Sequence, residues 1–293
     1  MSANTKWYPK MNIKHKIGEA TKILQSEGPV ALLRALKQFF LRNIGPDRSD
    51  GSYRPDESKI AFDVLNADTF KGLMIDVGAH YGGSLSQFAR EGWQVFAFEP
   101  DTKNREKLVK SFGDSKNVII DDRALSDQAR EKAVLYRSEE STGVSGLSSF
   151  LPSHQVAEEI EVTTLENVFH EHGLVDEKVA FLKIDTEGFD LHVLRGFPWL
   201  ISSPDLILCE FEDSKTVPLG YTFHDLAAFL VGHEYRLIVS EWHPIKRYGG
   251  FHDWRRFAKY PCQLEDSKAW GNIFAAKTDE IYELLLKICN IDS

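Results

Sequence analysis

Cysteine is scarce in this chain: three in 293 residues, Cys209, Cys262 and Cys289. They are odd in number and far apart, which argues against both a disulfide framework and a zinc site. Such usage fits a reducing compartment, and a cytoplasmic location is the expectation. No run of about 18 apolar residues occurs, so no membrane-spanning helix is predicted. The first residues, MSANTKWYPKMNIKHK, lack the apolar core of a secretory signal. Internal repeats and low-complexity tracts are absent too. Positive charge is in deficit, with 35 Lys and Arg against 44 Asp and Glu and a net of −9. That balance argues against a nucleic-acid partner held through phosphate contacts.

Two phosphate-binding fingerprints are also missing. Residues 74–83, MIDVGAHYGG, run from an apolar segment into Asp76, Gly78 and the pair Gly82-Gly83. The dinucleotide spacing G-x-G-x-x-G is broken because His80 stands at the third position. A P-loop needs Lys-Ser/Thr after its last glycine, and Ser84-Leu85 follow instead. An NAD-dependent oxidoreductase therefore lacks its distinguishing motif. What is left is a glycine turn that admits a bulky ligand without cradling phosphate.

The composition that is present, 42% hydrophobic and 27% charged, is ordinary for a globular protein of one large or two small domains. Charge is uneven along the chain. Residues 1–50 carry nine Lys/Arg and four Asp/Glu, a net of +5 that leaves −14 on the remainder. Within them a helix is predicted from Pro29, with Leu32, Leu33, Leu36, Phe39, Phe40 and Ile44 on one stripe. A solvated helix docked on the body is the usual meaning of such a stripe. Peripheral contact with anionic lipid is the other reading. Residues 45–57 read as a linker, so the domain expectation is a helical extension and linker over 1–57 and one domain over 58–293.

From Leu73 onward, strand-like and helix-like segments alternate. LMIDVGA, QVFAFEP, NVIID, VAFLKID and DLILCEFE read as buried strands, with helices between several of them. YRLIVSEW and NIFAAK supply two late strands, and DEIYELLLKICN a terminal helix. This pattern predicts an α/β, doubly wound, mostly parallel sheet. In such sheets ligands bind beyond the carboxyl ends of the strands. Glu99 ends the second strand, 17 residues beyond Gly82, where a carboxylate can accept hydrogen bonds from both ribose hydroxyls. Acids at the first and second strand tips, Asp76 and Glu99, suit a positively charged nucleoside without phosphate, and S-adenosylmethionine (SAM) is one.

Taken in order, D-V-G-A-H-Y-G, F-E-P, A-L-S-D and K-I-D-T-E-G-F-D resemble the FkbM family of SAM-dependent methyltransferases over roughly residues 73–212. The resemblance implies a Rossmann-like class I methyltransferase sheet with an antiparallel late strand. It also implies that Asp76, Gly78, His80 and Gly82 form the turn on the methionine side of the cofactor. Glu99 takes the ribose, and Asp122-Arg123-Ala124 border the adenine. His80 departs from the family, which commonly has Asn there; it can hydrogen-bond and can also titrate.

KIDTEG ends the fourth strand, so Asp185 and Glu187 are expected beside the transferred methyl. One of them is a candidate base for an acceptor hydroxyl, provided burial or a like-charged neighbour raises its pKa. Asp185, Glu210 and Glu212, at adjacent strand tips, are candidate ligands for a divalent metal. The segment SEWHPIKRYGGFHDWRRF and the later WGN bring Trp242, His243, Tyr248, His252, Trp254 and Trp270 close in sequence. Such aromatics suit stacking on sugar rings, and His243 is an alternative base. Arg247, Arg255 and Arg256 are expected to meet an anionic group on the acceptor. The Ser/Gly loop 141–149 is expected to act as a lid. The expected function is O-methylation of a small-molecule or glycan hydroxyl, a saccharide first. A polyketide or other secondary-metabolite hydroxyl and a non-catalytic adapter are the alternatives.

Overall fold

The computed structural model describes residues 54–66, 71–138, 143–248 and 252–292. The predicted basic helix and most of its linker lie outside the described residues. The described chain starts into helix α1 (Glu57–Leu65), where Asp56 caps the N-terminus by accepting the Lys59 N–H at 2.9 Å. The first half of the sheet follows: β1 (Leu73–Val77), α2 (Ser86–Arg90), β2 (Gln94–Phe98), α3 (Thr102–Phe112) and β3 (Val118–Asp121).

Next come β4 (Ala124–Leu125), β5 (Arg130–Ser138), β6 (Ser145–Gly146), β7 (His154–Thr163) and α4 (Leu165–His172). The second half is β8 (Val179–Ile184), α5 (Asp190–Arg195), β9 (Leu206–Glu212), α6 (Asp213–Thr216), α7 (Phe223–Gly232), β10 (Arg236–Trp242), β11 (Trp254–Lys259), β12 (Trp270–Ala276) and α8 (Asp279–Ile288).

Eight strands form the main sheet in the order β3-β2-β1-β8-β9-β12-β10-β11. From β3 to β9 all neighbours are parallel. β12 runs antiparallel to β9, and β10 antiparallel to β12. The α/β sheet with an antiparallel late strand is therefore the observed one. Every residue of β1, β8 and β9 is buried, because helices cover both faces. On one face α1, α2 and α8 pack together, with Phe62 edge-on to Phe88 at 5.1 Å. On the other, Leu165, Val168 and Phe169 of α4, Leu191 and Leu194 of α5, and Phe223, Leu226 and Leu230 of α7 close the core over Ile75, Phe96, Leu182 and Ile207.

Two features depart from the sequence expectation. WRRFAK, whose first part stands out in the sequence only for its aromatic and basic side chains, is the edge strand β11, antiparallel to β10. All six of its residues are partly exposed, so the apolar alternation that marks a buried strand is missing. A second sheet, β4-β7-β5-β6, is inserted between β3 and β8. Its core is small (Ala124, Leu135, Ile160 and Val162), and its register is interrupted between Arg130 and Ala133 and again between Leu135 and Tyr136. Among the described residues no helix is long and apolar enough to cross a membrane.

Candidate active site

β1 is flanked by β2 on one side and β8 on the other, so strand order reverses there and a crevice opens past the strand tips. Gly78 sits at its base. Its N–H and that of Ala79 both donate to the Phe98 carbonyl at 3.0 Å, and Asp185 N–H donates to the Val77 carbonyl at 3.0 Å. Gly78 has φ of 76°, and a Cβ there would lie 1.9 Å from the Asp185 carbonyl oxygen. Glycine is therefore required for the two strand tips to meet.

The turn then aims its backbone at Glu99. His80 adopts φ of 51° and donates its N–H to Glu99 Oε2 at 2.7 Å, while Asp101 N–H donates to Oε1 at 2.9 Å. Each carboxylate oxygen keeps further acceptor capacity. Glu99 is only 5% exposed, and burial pushes its pKa up to about 7 against those two N–H donors.

Gly78, His80, Glu99, Ala124, Asp185 and Glu187 all line one cavity of about 760 Å³, mouth included. The second sheet supplies the facing wall through Leu135 and residues 143 and 145–147. The described part of the expected lid is thus the wall itself: β6 pairs with β5, and Ser145 Oγ donates to Asp101 at 3.0 Å. Asp101 also receives Arg137 Nε at 2.5 Å, which ties β5 to the start of α3. Arg123 lines the cavity too, held by Asp121 and Glu171 at 2.7 Å each. His80 Nε2 is buried and finds no hydrogen-bond partner among the described residues, and burial holds its pKa below the usual value.

Other expected cofactor residues stand off the cavity wall. Asp76 is fully buried behind the turn, where Ser84 Oγ donates to it at 2.5 Å and Lys183 Nζ lies 3.2 Å away. The ammonium it meets belongs to its own chain. Lys183 also donates to the Gly78 carbonyl at 2.8 Å; burial opposes its charge, but Asp76 and Asp185 outweigh it and raise its pKa. Gly82, with φ of 83°, lies against Leu108 and Phe112 of α3, where a Cβ would come within 2.8 and 2.4 Å of their side chains. Asp122 is exposed and does not reach the cavity.

Glu187 has φ of 55° and is tipped toward β9. Lys215 Nζ lies 2.5 Å from Glu187, 2.8 Å from Glu212 and 3.3 Å from Glu210. Burial pushes Glu187 up to about 7 in spite of the lysine, and raises Glu210 well above the carboxylate range. Asp190 is pushed up to about 6 by burial; it accepts the Glu210 N–H at 3.0 Å and Thr186 Oγ at 2.9 Å, so it braces the two strand tips.

The expected metal set fares differently. Of its three members Asp185 and Glu210 converge, but the third carboxylate beside them, with oxygens all within 4.8 Å, is Glu187 and not the expected Glu212. Yet Lys215 already stands among Glu187, Glu210 and Glu212. An ammonium there supplies the positive charge that a dication would bring, so these residues do not fit a metal as they are arranged.

His243 is turned away from the cavity. Its Nδ1 accepts from Arg255 at 2.9 Å and its carbonyl from the Trp270 indole at 3.0 Å. Arg256 pairs with Glu241 at 2.8 Å and Glu265 at 3.1 Å, and Arg255 with Glu265 at 3.2 Å. Those two arginines therefore serve the β10–β11 edge, not an anionic acceptor. The indoles of Trp242 and Trp254 donate inward, to Glu57 at 2.8 Å and Ser240 at 3.2 Å. Lys183 and Lys215 were missed in the sequence reading, although one lies inside K-I-D-T-E-G and the other just beyond the fifth strand. An apolar-periodicity scan has no slot for a buried lysine.

A switch-point cavity with a buried strand-tip carboxylate, on a parallel sheet continued by the antiparallel β12, has the architecture of an α/β enzyme of the methyltransferase type. The family model described as "Methyltransferase FkbM domain" matches residues 76–237, and the chain belongs to that family. Among solved structures it is similar to a methyltransferase FkbM from Methylobacillus flagellatus, at 15% identity and TM-score 0.41, covering 70% of this chain and 43% of that one. It is also similar to a putative O-methyltransferase from Klebsiella pneumoniae, at 11% identity and TM-score 0.40, covering 89% and 97%. A precorrin-6y C5,15-methyltransferase from Geobacter metallireducens gives 12% identity and TM-score 0.38, covering 79% and 94%. No curated protein sequence matches the chain.

Proposed function

We propose that this chain is a SAM-dependent O-methyltransferase acting on a hydroxyl of a saccharide or glycan. The observation that carries the reading is that one cavity holds both Glu99, a buried acceptor at the β2 tip, and Glu187, a carboxyl with a raised pKa at the β8 tip. The residues fit the cofactor: Glu99 has acceptor capacity to spare for ribose hydroxyls, and the orphaned Nε2 of His80 awaits a polar partner. Gly78, His80 and Glu99 would hold it, with Arg123, Ala124 and Leu125 beside the base. When bound, SAM supplies an electrophilic methyl group on a sulfonium.

The chain's own part is to place and deprotonate the acceptor. A neutral alcohol is a weak nucleophile, and a base poised near neutral pH gains most from taking its proton during attack. Glu187 meets that condition, and Lys215 fixes one of its oxygens so that the other is free to receive the proton. The left-handed backbone at Glu187 costs about 1–3 kcal/mol, a strain kept where the carboxylate must be aimed. Phe150 and Tyr248, whose rings lie 6.4 Å apart on one side of the Lys215 ammonium, offer apolar faces for a sugar ring. They replace Trp242 and Trp254 as the stacking surface.

The test is transfer of a deuterated methyl from SAM to a panel of sugars, glycans and hydroxylated metabolites, read by mass. A labelled methyl ether on a saccharide is the expected product. Label on a polyketide-type hydroxyl alone would reassign the acceptor. Cofactor binding with no transfer to any acceptor, unchanged in Glu187→Gln, would favour the adapter.

A further inference from the structure

We propose that Lys215 is the resident cation of this site, holding the position that a divalent ion takes in a metal-assisted enzyme, so that the acceptor half works without metal. The local fold explains how it comes to be there. β9 delivers Glu210 and Glu212 on the same side, and α6 begins at once, with Lys215 one turn on from Glu212. The side chain folds back onto the strand tip. Gly188 leaves room for it: with φ of 106°, a Cβ there would approach the Lys215 Cβ at 3.3 Å.

The geometry then assigns the charge. Lys215 is 2% exposed; its ammonium donates to Glu187 at 2.5 Å and to Glu210 at 3.3 Å and forms an ion pair with Glu212 Oε2 at 2.8 Å. A hard dication taking those same oxygens of Glu187, Glu210 and Glu212 at about 2.0–2.6 Å would stand at nearly the same point. Two like charges cannot share it. Phe150 and Tyr248, with ring centres 5.4 and 5.7 Å from Nζ, further close the position with faces that attract a cation. Tyr248 Oη also donates to Glu212 at 3.0 Å, so the carboxylate cage is held from outside. Lys215 thereby acts as a positioning residue. It fixes Glu187 in its left-handed conformation in the cavity wall and fills the space among Glu187, Glu210 and Glu212.

This inference rests on the methyl-transfer reading for its consequence, but its test needs no turnover. The parent chain, dialysed against a chelator, is titrated with Mn²⁺ and followed by electron paramagnetic resonance. S-adenosylhomocysteine affinity is measured separately with Mg²⁺ and with chelator. The expected results are no stoichiometric Mn²⁺ site in the parent and the same nucleoside affinity in both buffers. Lys215→Ala is expected to gain one Mn²⁺ site, at least tenfold tighter than anything in the parent, and Glu187→Gln on that background to lose it. The double variant Lys215→Ala/Glu212→Gln removes one charge of each sign, keeps Asp185, Glu187 and Glu210, and is expected to gain the same site where the single variant fails to fold. A stoichiometric Mn²⁺ site in the parent that Glu187→Gln abolishes would overturn the proposal. So would a folded lysine-free variant that gains no site. Failure of S-adenosylhomocysteine to bind would sink the methyltransferase reading and leave the ion result standing.

Discussion

Lys183 at the end of β8 and Lys215 just beyond β9 are both buried ammonium groups, yet their surroundings balance differently. Lys183 has one buried carboxylate, Asp76, at 3.2 Å, a carbonyl at 2.8 Å, and the half-exposed Asp185 at 3.6 Å. Lys215 faces three buried carboxylates at once. In the first grouping Lys183 cancels Asp76 and only the half-exposed Asp185 is left over, and the pair holds β1 to β8 beneath the Gly78 turn. The second carries surplus negative charge in a dry setting, so protons must be shared and Glu187 titrates near neutrality. One lysine ties two strand tips together, and the other stands in the cluster that holds Glu187, the proposed base.

Breaking the balanced pair should have the largest effect. Lys183→Met strands Asp76 as a buried charge without its partner, which costs about 3–5 kcal/mol. Urea denaturation should show that loss, and S-adenosylhomocysteine binding should fall with it because the Gly78 turn loses its anchor. The unbalanced cluster should respond in rate and leave the fold intact. Glu187→Gln should lower kcat by about 10²- to 10⁴-fold while leaving S-adenosylhomocysteine affinity within about threefold, inside the scatter expected of a contact not made. A base acts in its ionised form, so parent turnover should rise as pH increases through about 7 and level off above it. In Glu187→Gln that limb should vanish.

A smaller effect separates the two halves by pH. Glu99 also sits near 7, raised by burial, and its ionised form is the one that accepts ribose hydroxyls. Nucleoside binding should therefore weaken by up to about tenfold from pH 8 to pH 6, as calorimetry can record. The sign follows from the raised pKa: below it the free protein holds a proton that the ligand must displace. Glu99→Gln should bind more weakly than the parent at pH 8 and show no such slope.

Much of the β1–β2 side of the cavity was legible in the sequence because backbone geometry there demands particular residues. Gly78 must be glycine where two strand tips touch, and Glu99 ends a strand with a clear apolar run. The roles of Asp76 and Gly82 were less so. A carboxylate facing a cofactor and one facing a buried lysine look the same in one dimension, and a glycine that admits a ligand resembles one that admits Leu108 and Phe112. The facing wall was hidden for a different reason. It comes from β5 and β6, in a sheet where exposed glutamates and two interruptions of register obscure the strand period. Trp242, His243, Arg255 and Arg256 drew attention by type, yet their polar groups are spent on the β10–β11 edge.

The central claim is that the β1–β2 tips bind the nucleoside while the β8–β9 tips handle the acceptor. Calorimetric titration of S-adenosylhomocysteine into the parent, Glu99→Ala and Glu187→Gln tests it most directly. The account predicts one ligand per chain in the parent, at least about tenfold weaker binding in Glu99→Ala, as befits lost hydrogen bonds to a carboxylate, and parent-like binding in Glu187→Gln. Absence of binding to the parent, or equal losses in the two variants, would contradict it.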